Sequence, residues 1–512
     1  MTKRLPLLML LSVALVAFMA MSAFAAKSPT EKKLSPAAYE QSLIYSFPDA
    51  QTRYLTRPDK DVQDQAALGA FSPAAFPGRK IGDTWYDYQR NGSMRRMITW
   101  GTHGAPDTLL VHFSWMRLPT SDIALAREYR YDVYNAAEGI FGTETGLQND
   151  DEYAGYCGIT ATNDNRAVVG GHNNPGTGVY QTQIYWDFGQ GTSFFNTSAR
   201  VPDATAEYCD FETGGTGGIW PAFEYVEGTD TVTHVIAQES RPGAGDAQTL
   251  YYFRKVGVGA AGTWDHPPRC IDTVADIAQD IEATDDGMVV LFWIANVQDP
   301  SDPCNGGDTC SSTNFVEAVQ RDNDVYVQIS NDYGVTWQPR MNITKNTYGV
   351  SGFRPYTDLS GLIDGSGVVH CVYGTGDYDA AGPTWYYRGR MFHWDNASNN
   401  TVIAVNYMYD QTDCPPHSWN LNASKMTLSE CNGKFYILFT QCNDPDLGPL
   451  TDCSEEGSGP ECNGELYISV SDDGGSTWDK PRNITNTHTP GCDSLGGVNG
   501  PCESEHWPSM VR

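Results

Sequence analysis

The chain has 512 residues and is strongly acidic, with 63 Asp and Glu against 33 Lys and Arg and a net charge of -30. A surface this negative repels nucleic acid and anionic membranes, which argues against these two classes of partner. The length allows one large repeat domain or two to three ordinary domains.

The N-terminus has the features of a secretory signal peptide. Two basic residues, Lys3 and Arg4, precede an apolar run over 5–24, and Ala23-Phe24-Ala25 is an A-x-A cleavage signal. We therefore predict a cleaved signal peptide over residues 1–25 and a secreted or surface-displayed protein. No later run is long and apolar enough to span a membrane. Residues 26–82 are rich in Lys, Pro, Ala and Gln and predict an N-terminal extension or linker.

From residue 83 onward the pattern predicts an all-β chain, because aromatic and β-branched residues alternate with Gly and Asn and no helical period persists. Pairs of apolar runs recur, each followed by a more polar, outer strand. Continuous apolar runs suit inner strands that are buried on both faces. The alternation predicts a six- or seven-bladed β-propeller with long loops over residues 83–512. The runs lie at 96–100 and 108–113, 158–160 and 167–169, 219–225 and 232–236, 277–281 and 288–293, 353–356 and 368–373, and 424–428 and 435–439.

One eight-residue pattern, S-x-D-x-G-x-T-W, occurs twice. Each copy follows an alternating strand, and its Asp and Gly supply the side-chain acceptor and the permissive φ of a tight turn. We predict that each copy closes a hairpin, with the Trp covering it. The residues are Ser330, Asp332, Gly334, Thr336 and Trp337, and Ser471, Asp473, Gly475, Thr477 and Trp478.

This pattern resembles the Asp-box of the sialidase-like β-propellers, of the secreted bacterial type. In that family the box closes the outer hairpin of a blade, away from the sugar-binding site. The resemblance therefore implies structural roles for Asp332 and Asp473.

The last residues repeat an inner strand. His506-Trp507-Pro508-Ser509-Met510 matches Ile219-Trp220-Pro221-Ala222-Phe223. Because a chain seldom ends inside a core strand, we expect either that the sequence is truncated after Arg512 or that this strand completes the ring.

The resemblance also suggests a glycosidase site, but only in part. A sialidase needs three guanidiniums to clamp a carboxylate, a Tyr nucleophile activated by a Glu, and an Asp proton donor. Arg96, Asp122 and Arg354 are the candidate catalytic residues. A third Arg and the Tyr and Glu pair are not recognisable. Catalysis therefore stays an alternative.

Metal and cofactor sites are not predicted. His112, His234 and His370 share one strand position and are interpreted as repeat-equivalent packing residues. The acidic loops 302–308 and 444–456 lack the D-x-D-x-D-G spacing of a calcium loop. A structural Ca²⁺ in these loops is left as an alternative.

The 13 cysteines, in an exported chain, predict disulfides. Short spacings in Gly- and Asp-rich loops favour three local pairs. These are Cys304 with Cys310, Cys453 with Cys462, and Cys492 with Cys502.

Aromatic and guanidinium groups on the inner strands suggest a ligand-binding face. Trp220, Arg354, Tyr356 and Trp507 are the candidate binding residues, since such groups stack on sugars or anchor partners. We therefore predict a non-catalytic scaffold for a glycan or protein ligand. The alternatives are an exo-sialidase or related glycoside hydrolase and a structural envelope repeat protein.

Overall fold

The structure, a computed structural model, describes residues 80–512 apart from gaps. The gaps are 87, 91, 102–109, 121–126, 137, 143–144, 148–151, 175–179, 196, 204–216, 241–247, 298–321, 381–383, 408–415, 417–419, 443–451, 455–461 and 493–501. Contacts divide the chain into the units Met1–Pro48 and Asp49–Arg512. All described residues belong to the second unit, so the predicted signal peptide and most of the predicted extension lie outside them.

The second unit is a six-bladed β-propeller, as the repeat pattern predicts. Its six antiparallel sheets follow one another along the chain. The strands are, in blade 1, β1 (Ile98–Trp100), β2 (Leu110–Arg117), β3 (Glu128–Asn135), β4 (Ile140–Phe141) and β5 (Thr145–Gly146); in blade 2, β6 (Glu152–Ala161), β7 (Ala167–Asn174), β8 (Gln181–Trp186) and β9 (Thr197–Arg200); in blade 3, β10 (Gly218–Glu227), β11 (Thr231–Glu239), β12 (Gln248–Val256), β13 (Thr263–Trp264) and β14 (Arg269–Val274); in blade 4, β15 (Gln279–Ala283), β16 (Val289–Asn296), β17 (Asn323–Ser330) and β18 (Met341–Asn342); in blade 5, β19 (Gly352–Ile363), β20 (Val369–Asp379), β21 (Thr384–Asp395) and β22 (Thr401–Tyr407); and in blade 6, β23 (Ala423–Cys431), β24 (Lys434–Cys442), β25 (Gly464–Ser471) and β26 (Arg482–Asn483).

The core lies between neighbouring blades, because successive side chains of a strand point to opposite faces. Strand β16 shows this alternation. Val289, Leu291 and Trp293 pack with blade 3, whereas Val290 and Phe292 pack with blade 5. Every residue of β16 is buried. Its continuous apolar run is thus explained by burial on both faces.

Blades 6 and 1 meet through residues 502–512, which we call the closing segment. These residues belong to none of the six sheets. The amide of Met97 in blade 1 donates to Ser509 Oγ at 2.8 Å, and the amide of Glu430 in blade 6 donates to the Arg512 carbonyl at 3.0 Å. The closing segment therefore lies between the two blades, at the place where the repeat at residues 506–510 suggested a further inner strand.

Four of the six inner strands share a backbone irregularity near their start. Tyr156, Trp220, Thr357 and Lys425 have φ between 53° and 57°. Each lies at a register shift between the first and second strands of its blade. Trp507 in the closing segment has the same φ of 55°. Because the left-handed residue recurs from blade to blade, we interpret it as a property of the repeat and not as strain stored at one site.

The axis of the ring is filled by the chain itself. The axial segment, which we define as residues 88–90 and 92–96, contacts the inner strands of blades 2 to 6. The amide of Ser93 donates to the carbonyl of Ile277, and the Lys425 ammonium lies 3.4 Å from the Gly92 carbonyl. A Cβ on Gly92 would lie 1.3 Å from the Ile277 oxygen, so only glycine fits at this contact.

Buried ion pairs join the axial segment to the blades. Arg95 donates to Asp280 of blade 4 and lies 3.3 Å from Glu224 of blade 3. Arg96 binds Glu282 of blade 4 at 2.8 Å. All of these side chains are buried. Burial together with the charge of Glu282 raises the pKa of Glu224 to about 7.

The two S-x-D-x-G-x-T-W segments form the turns after the third strands of blades 4 and 6. Asp332 accepts hydrogen bonds from the Thr336 amide at 2.8 Å and the Thr336 hydroxyl at 2.6 Å. Asp473 binds Thr477 at 2.8 and 2.7 Å in the same way. Trp337 packs against Tyr252 of blade 3, with ring centroids 4.9 Å apart.

One disulfide prediction is wrong and one agrees with the structure. Cys462 is bonded to Cys442, at the end of β24, and not to Cys453. Cys453 lies opposite Cys462 as a β-bridge partner and is itself disulfide-bonded. The cause is strand pairing, which brings Cys442 within a Cα distance of 5.8 Å despite 20 residues of separation. Cys492 and Cys502 are bonded as expected, whereas Cys304 and Cys310 lie outside the described residues.

The three histidines that share one strand position, His112, His234 and His370, are buried packing residues. Each hydrogen-bonds a side chain of the next strand: His112 bonds Tyr131 and His234 bonds Tyr252, both at 2.7 Å, and His370 bonds His393 at 3.0 Å.

Among the described residues, no helix has the length and hydropathy needed to cross a bilayer.

Candidate functional site

One edge of the ring gathers aromatic and basic side chains. The first strand of a blade begins at this edge, the second ends there and the third begins there, because the strands are antiparallel. We call the group near blades 1 to 3 the aromatic cluster, and it consists of Tyr86, Arg127, Tyr156, His172, Tyr180 and Trp220.

The guanidinium of Arg127 stacks on this cluster. It lies 4.7 Å from the ring centroid of Tyr86 and 6.0 Å from that of Tyr156. The two tyrosine hydroxyls are 3.5 Å apart. This geometry is that of a cation over aromatic faces, a contact that positions a guanidinium without consuming its hydrogen-bond donors.

Two positive charges at the cluster lack a carboxylate partner among the described residues. The half-buried side chain of Arg127 makes the ring contacts above, and it makes no hydrogen bond to a described residue. Arg90, which is buried, donates to the carbonyls of Tyr156 and Pro221 at 2.6 and 3.3 Å, and it forms no ion pair with a residue that the structure describes. Burial, aided by nearby Arg95, lowers the pKa of Arg90 to about 9. In a chain of net charge -30, the described residues at the aromatic cluster thus carry two positive charges.

His172 is neutral and positions other groups. Burial, together with Arg127 and Arg90, lowers its pKa well below the usual value. Its Nδ1 accepts the amide proton of Trp220 at 3.1 Å, so the ring proton is on Nε2. Because the basic nitrogen is already occupied, His172 cannot accept a proton from a ligand without losing this contact. Its ring packs edge-on to the rings of Tyr156 and Tyr180, with centroid distances of 5.2 and 4.8 Å.

A groove of about 360 Å³ adjoins the cluster. We call it the tryptophan groove, and its lining comprises Ile81, Gly82, Asp83, Thr84, Gln89, Trp115, Ser504, His506 and Trp507. Its volume falls in the lower range for small-ligand sites. The side-chain amide of Gln89, which lines the groove, donates to the carbonyl of Tyr86, a member of the cluster, at 3.0 Å.

The predicted binding residues fall into two groups. Trp220 is half-buried in the aromatic cluster, and Trp507 lines the tryptophan groove, although only 7% of it is exposed. Tyr356 and Arg354 lie on blade 5. Arg354 pairs with Asp322 and donates to the Thr347 carbonyl at 3.0 Å. It thereby holds in place the loop that follows the last strand of blade 4.

The three candidate catalytic residues do not form a described site. Arg96 is buried in the axis against Glu282, and the guanidinium of Arg354 is engaged by Asp322. Asp122 lies outside the described residues. The two guanidiniums therefore serve ion pairs within the chain.

Sequence reasoning missed Arg127, Tyr156, His172 and the axial segment. One signal for the axial segment was present, namely carboxylates inside otherwise apolar inner strands. Glu224, Asp280 and Glu282 are such residues, and three Arg lie between 90 and 96. Buried acids need cationic partners, so this pairing was open to inference. The aromatic cluster had no such signal, because its members come from separate blades.

No family model and no curated protein matches the sequence. Solved structures match at low identity. A PL25 polysaccharide lyase, an ulvan lyase, is 10% identical with a TM-score of 0.43, over 77% of this chain and 85% of that chain. An α-L-arabinanase of Penicillium chrysogenum, complexed with arabinobiose, is 13% identical with a TM-score of 0.38, over 70% and 84%. A mutant Trypanosoma rangeli sialidase displaying trans-sialidase activity is 11% identical with a TM-score of 0.30, over 57% and 44%.

Proposed function

We propose that the protein is a binding scaffold for an anionic glycan, which it holds at the aromatic cluster without chemical turnover. The observation that carries the proposal is the guanidinium of Arg127, stacked 4.7 Å from Tyr86 and without a hydrogen-bond acceptor among the described residues. A guanidinium in this state is ready to bind a carboxylate or a sulfate with two hydrogen bonds.

The aromatic side chains supply the second requirement of sugar binding. The half-buried ring of Tyr86 lies under the guanidinium of Arg127, and the half-buried ring of Tyr180 packs against the buried His172. Trp220, also half-buried, joins this group through its amide, which donates to His172. Such rings offer apolar faces to the C–H faces of a sugar. The adjoining tryptophan groove has room for a further sugar residue of the glycan.

Absence of turnover is favoured by what the polar groups already do. The lone pair of His172 is used by the Trp220 amide. Arg96 and Arg354 are held in ion pairs with Glu282 and Asp322. These contacts weaken the hypothesis of an exo-sialidase or glycoside hydrolase, which would need the same groups for substrate. Binding of a protein ligand and a structural role in the cell envelope are two further hypotheses, and the retention experiment below separates them from glycan binding.

We further propose that the protein is exported and belongs to the sialidase-like Asp-box propellers. The hydrogen bonds of Asp332 and Asp473 within their turns support the structural role expected of that motif. Disulfide-bonded Cys442, Cys462 and Cys492 support an oxidising compartment. The signal peptide over residues 1–25 is part of this proposal.

The test is retention of the purified chain on immobilised polysaccharides. Polygalacturonic acid and dextran sulfate present carboxylates and sulfates, and dextran is the neutral control. We expect retention on at least one anionic polymer, release by salt and no retention on dextran. Formation of reducing ends or of an ultraviolet-absorbing unsaturated product, or equal retention on dextran, would contradict the proposal.

A further inference from the structure

A second group of polar side chains lies in blade 6, apart from the aromatic cluster. Asp452, Glu465 and His488 each offer one ligand atom, and these three atoms lie within 4.8 Å of one another. They come from three separate stretches of chain: the loop before β25, the strand β25 and the segment after β26. We call this group the carboxylate–histidine cluster.

Both carboxylates of the cluster are inside the protein. Asp452 is fully buried, and 2% of Glu465 is exposed. Two ionised carboxylates so close to each other in a buried place repel. A cation bound between the two carboxylates would offset this repulsion.

Comparison with blade 4 shows what is particular to blade 6. Asp324 occupies the position of Glu465, as the paired residues Tyr326 and Asn342, and Tyr467 and Asn483, show. Both carboxylates accept a threonine hydroxyl of the following turn, at 2.6 and 2.7 Å. This bond is thus a repeat feature that holds the turn in place.

The histidine is the difference between the two blades. Where blade 6 has His488, blade 4 has Thr347, whose carbonyl binds Arg354. The repeat therefore accounts for Glu465 alone. It does not account for the nitrogen donor and the second carboxylate that meet it in blade 6.

We propose that Asp452, Glu465 and His488 bind one divalent transition-metal cation of the Zn²⁺ class. Two carboxylates and an imidazole are a mixed oxygen and nitrogen donor set, which suits Zn²⁺ and its first-row neighbours better than Ca²⁺, whose sites use oxygen donors. The site is structural in this proposal, and it would tie the disulfide-linked loop of Asp452 to the strand β25 and to the turn that follows β26.

The donor distances require a small closure on binding. Two ligands at about 2.1 Å from one ion cannot be more than about 4.2 Å apart. A donor pair near the 4.8 Å limit would therefore have to approach by a fraction of an ångström, and rotation of the half-buried His488 side chain would allow this. Asn463 donates to Asp452 at 2.9 Å and orients that carboxylate, as outer partners of metal ligands do.

The test is Zn²⁺ binding to the full chain after dialysis against EDTA. The exposed thiol of Cys431 is a competing ligand, so all proteins carry Cys431→Ser. By titration calorimetry we expect one equivalent of Zn²⁺ with a Kd below about 10 µM, and a higher Tm in its presence. Bound Co²⁺ should show a visible absorption band with a nitrogen ligand.

Three variants make the assignment specific. Asp452→Asn and His488→Gln should each weaken Zn²⁺ binding by at least about 10-fold. Asp324→Asn, at the matched position of blade 4, should leave the affinity unchanged. If Asp452→Asn does not fold, His488→Gln alone decides, because that side chain is only half-buried.

The proposal is overturned by any of three results. The first is no Zn²⁺ binding at about 100 µM by the chain that carries Cys431→Ser alone. The second is full affinity in both Asp452→Asn and His488→Gln. The third is Ca²⁺ binding as tightly as Zn²⁺, which would indicate an oxygen-only site without His488.

Discussion

Arg96 and Glu282 form a buried ion pair of 2.8 Å at the axis of the propeller. Nε of Arg512, in the closing segment, lies 3.0 Å from the other oxygen of the same carboxylate. One side chain of blade 4 thus connects the start and the end of the described chain. Burial opposes the charge of Glu282, but Arg96 and Arg512 outweigh it and hold its pKa below the usual value.

Replacing this carboxylate should destabilise the ring. Glu282→Gln keeps the shape and leaves two guanidiniums without their counter-charge, which costs about 3–5 kcal/mol for a buried pair. We expect a large fall in Tm by calorimetry. Asp472→Asn, which removes the exposed partner of Lys434, is the control and should change little. Equal Tm values for the two variants would show that the axial ion pairs do not hold the blades together.

A second prediction concerns the packing of the axial segment. In Gly92→Ala the new Cβ would overlap the Ile277 carbonyl, since the ideal position is 1.3 Å from that oxygen. The segment would have to leave the axis, so we expect a loss beyond the about 1–3 kcal/mol usual for an overpacked core. Gly365→Ala is the matched control, because its nearest neighbour atom is 3.8 Å away. Rapid proteolysis of Gly92→Ala but not of Gly365→Ala would support this account, and resistance of both would contradict it.

The propeller was predictable because its signal is local and repeated. Each blade needs two apolar strands and a turn between them. The continuous apolar run 288–293, for example, predicts a strand buried on both faces, and β16 is such a strand. The six paired runs therefore locate all six sheets. Blade number stayed open at six or seven, because residues 506–510 copy an inner strand but close the ring without joining a sheet.

The candidate site was less predictable, because it depends on contacts between distant residues. Trp220 was found from its place on an inner strand, but Arg127 lies just before β3 in a stretch without a motif. Its role follows only from the ring of Tyr86, 41 residues away in sequence and 4.7 Å away in space. Arg96 and Arg354 were chosen for their strands, and the partners that engage them come from other strands and loops.

Disulfide connectivity can be checked by mass mapping of unreduced peptides. We expect Cys442 linked to Cys462 and Cys492 linked to Cys502, as the structure has them. The link between Cys304 and Cys310 stays a prediction of the spacing. A peptide joining Cys453 to Cys462 would contradict the structure. Alkylation of Cys304 and Cys310 without reduction would contradict the local pair.

The stability should depend on pH through buried carboxyl groups. Burial, together with Glu465 and Glu503, raises the pKa of Glu505 to about 7, whereas an unfolded Glu titrates near about 4.3. Between these values the folded state binds more protons than the unfolded state, so the free energy of unfolding falls as pH rises from about 4.5 to about 7.

We therefore expect the Tm to fall by a few degrees between pH 5 and pH 8. Glu505→Gln, which cannot ionise, should flatten the profile, and Glu138→Gln, an exposed residue, should not. A wild-type Tm that rises over this range would contradict the prediction.

The most direct test of the proposed function is the affinity of Arg127→Gln for polygalacturonic acid. The Arg127 side chain makes no hydrogen bond within the described residues, so its replacement should leave the fold intact and report on the ligand alone. Arg166→Gln is the matched control, since Arg166 lies in the turn at the other end of β6 and pairs with Asp164. We expect Arg127→Gln to lose at least about 10-fold in affinity, the equivalent of about 1.4 kcal/mol, while Arg166→Gln binds as the wild type does. Binding by Arg127→Gln as tight as that of the wild type would contradict the assignment of the aromatic cluster as the binding site.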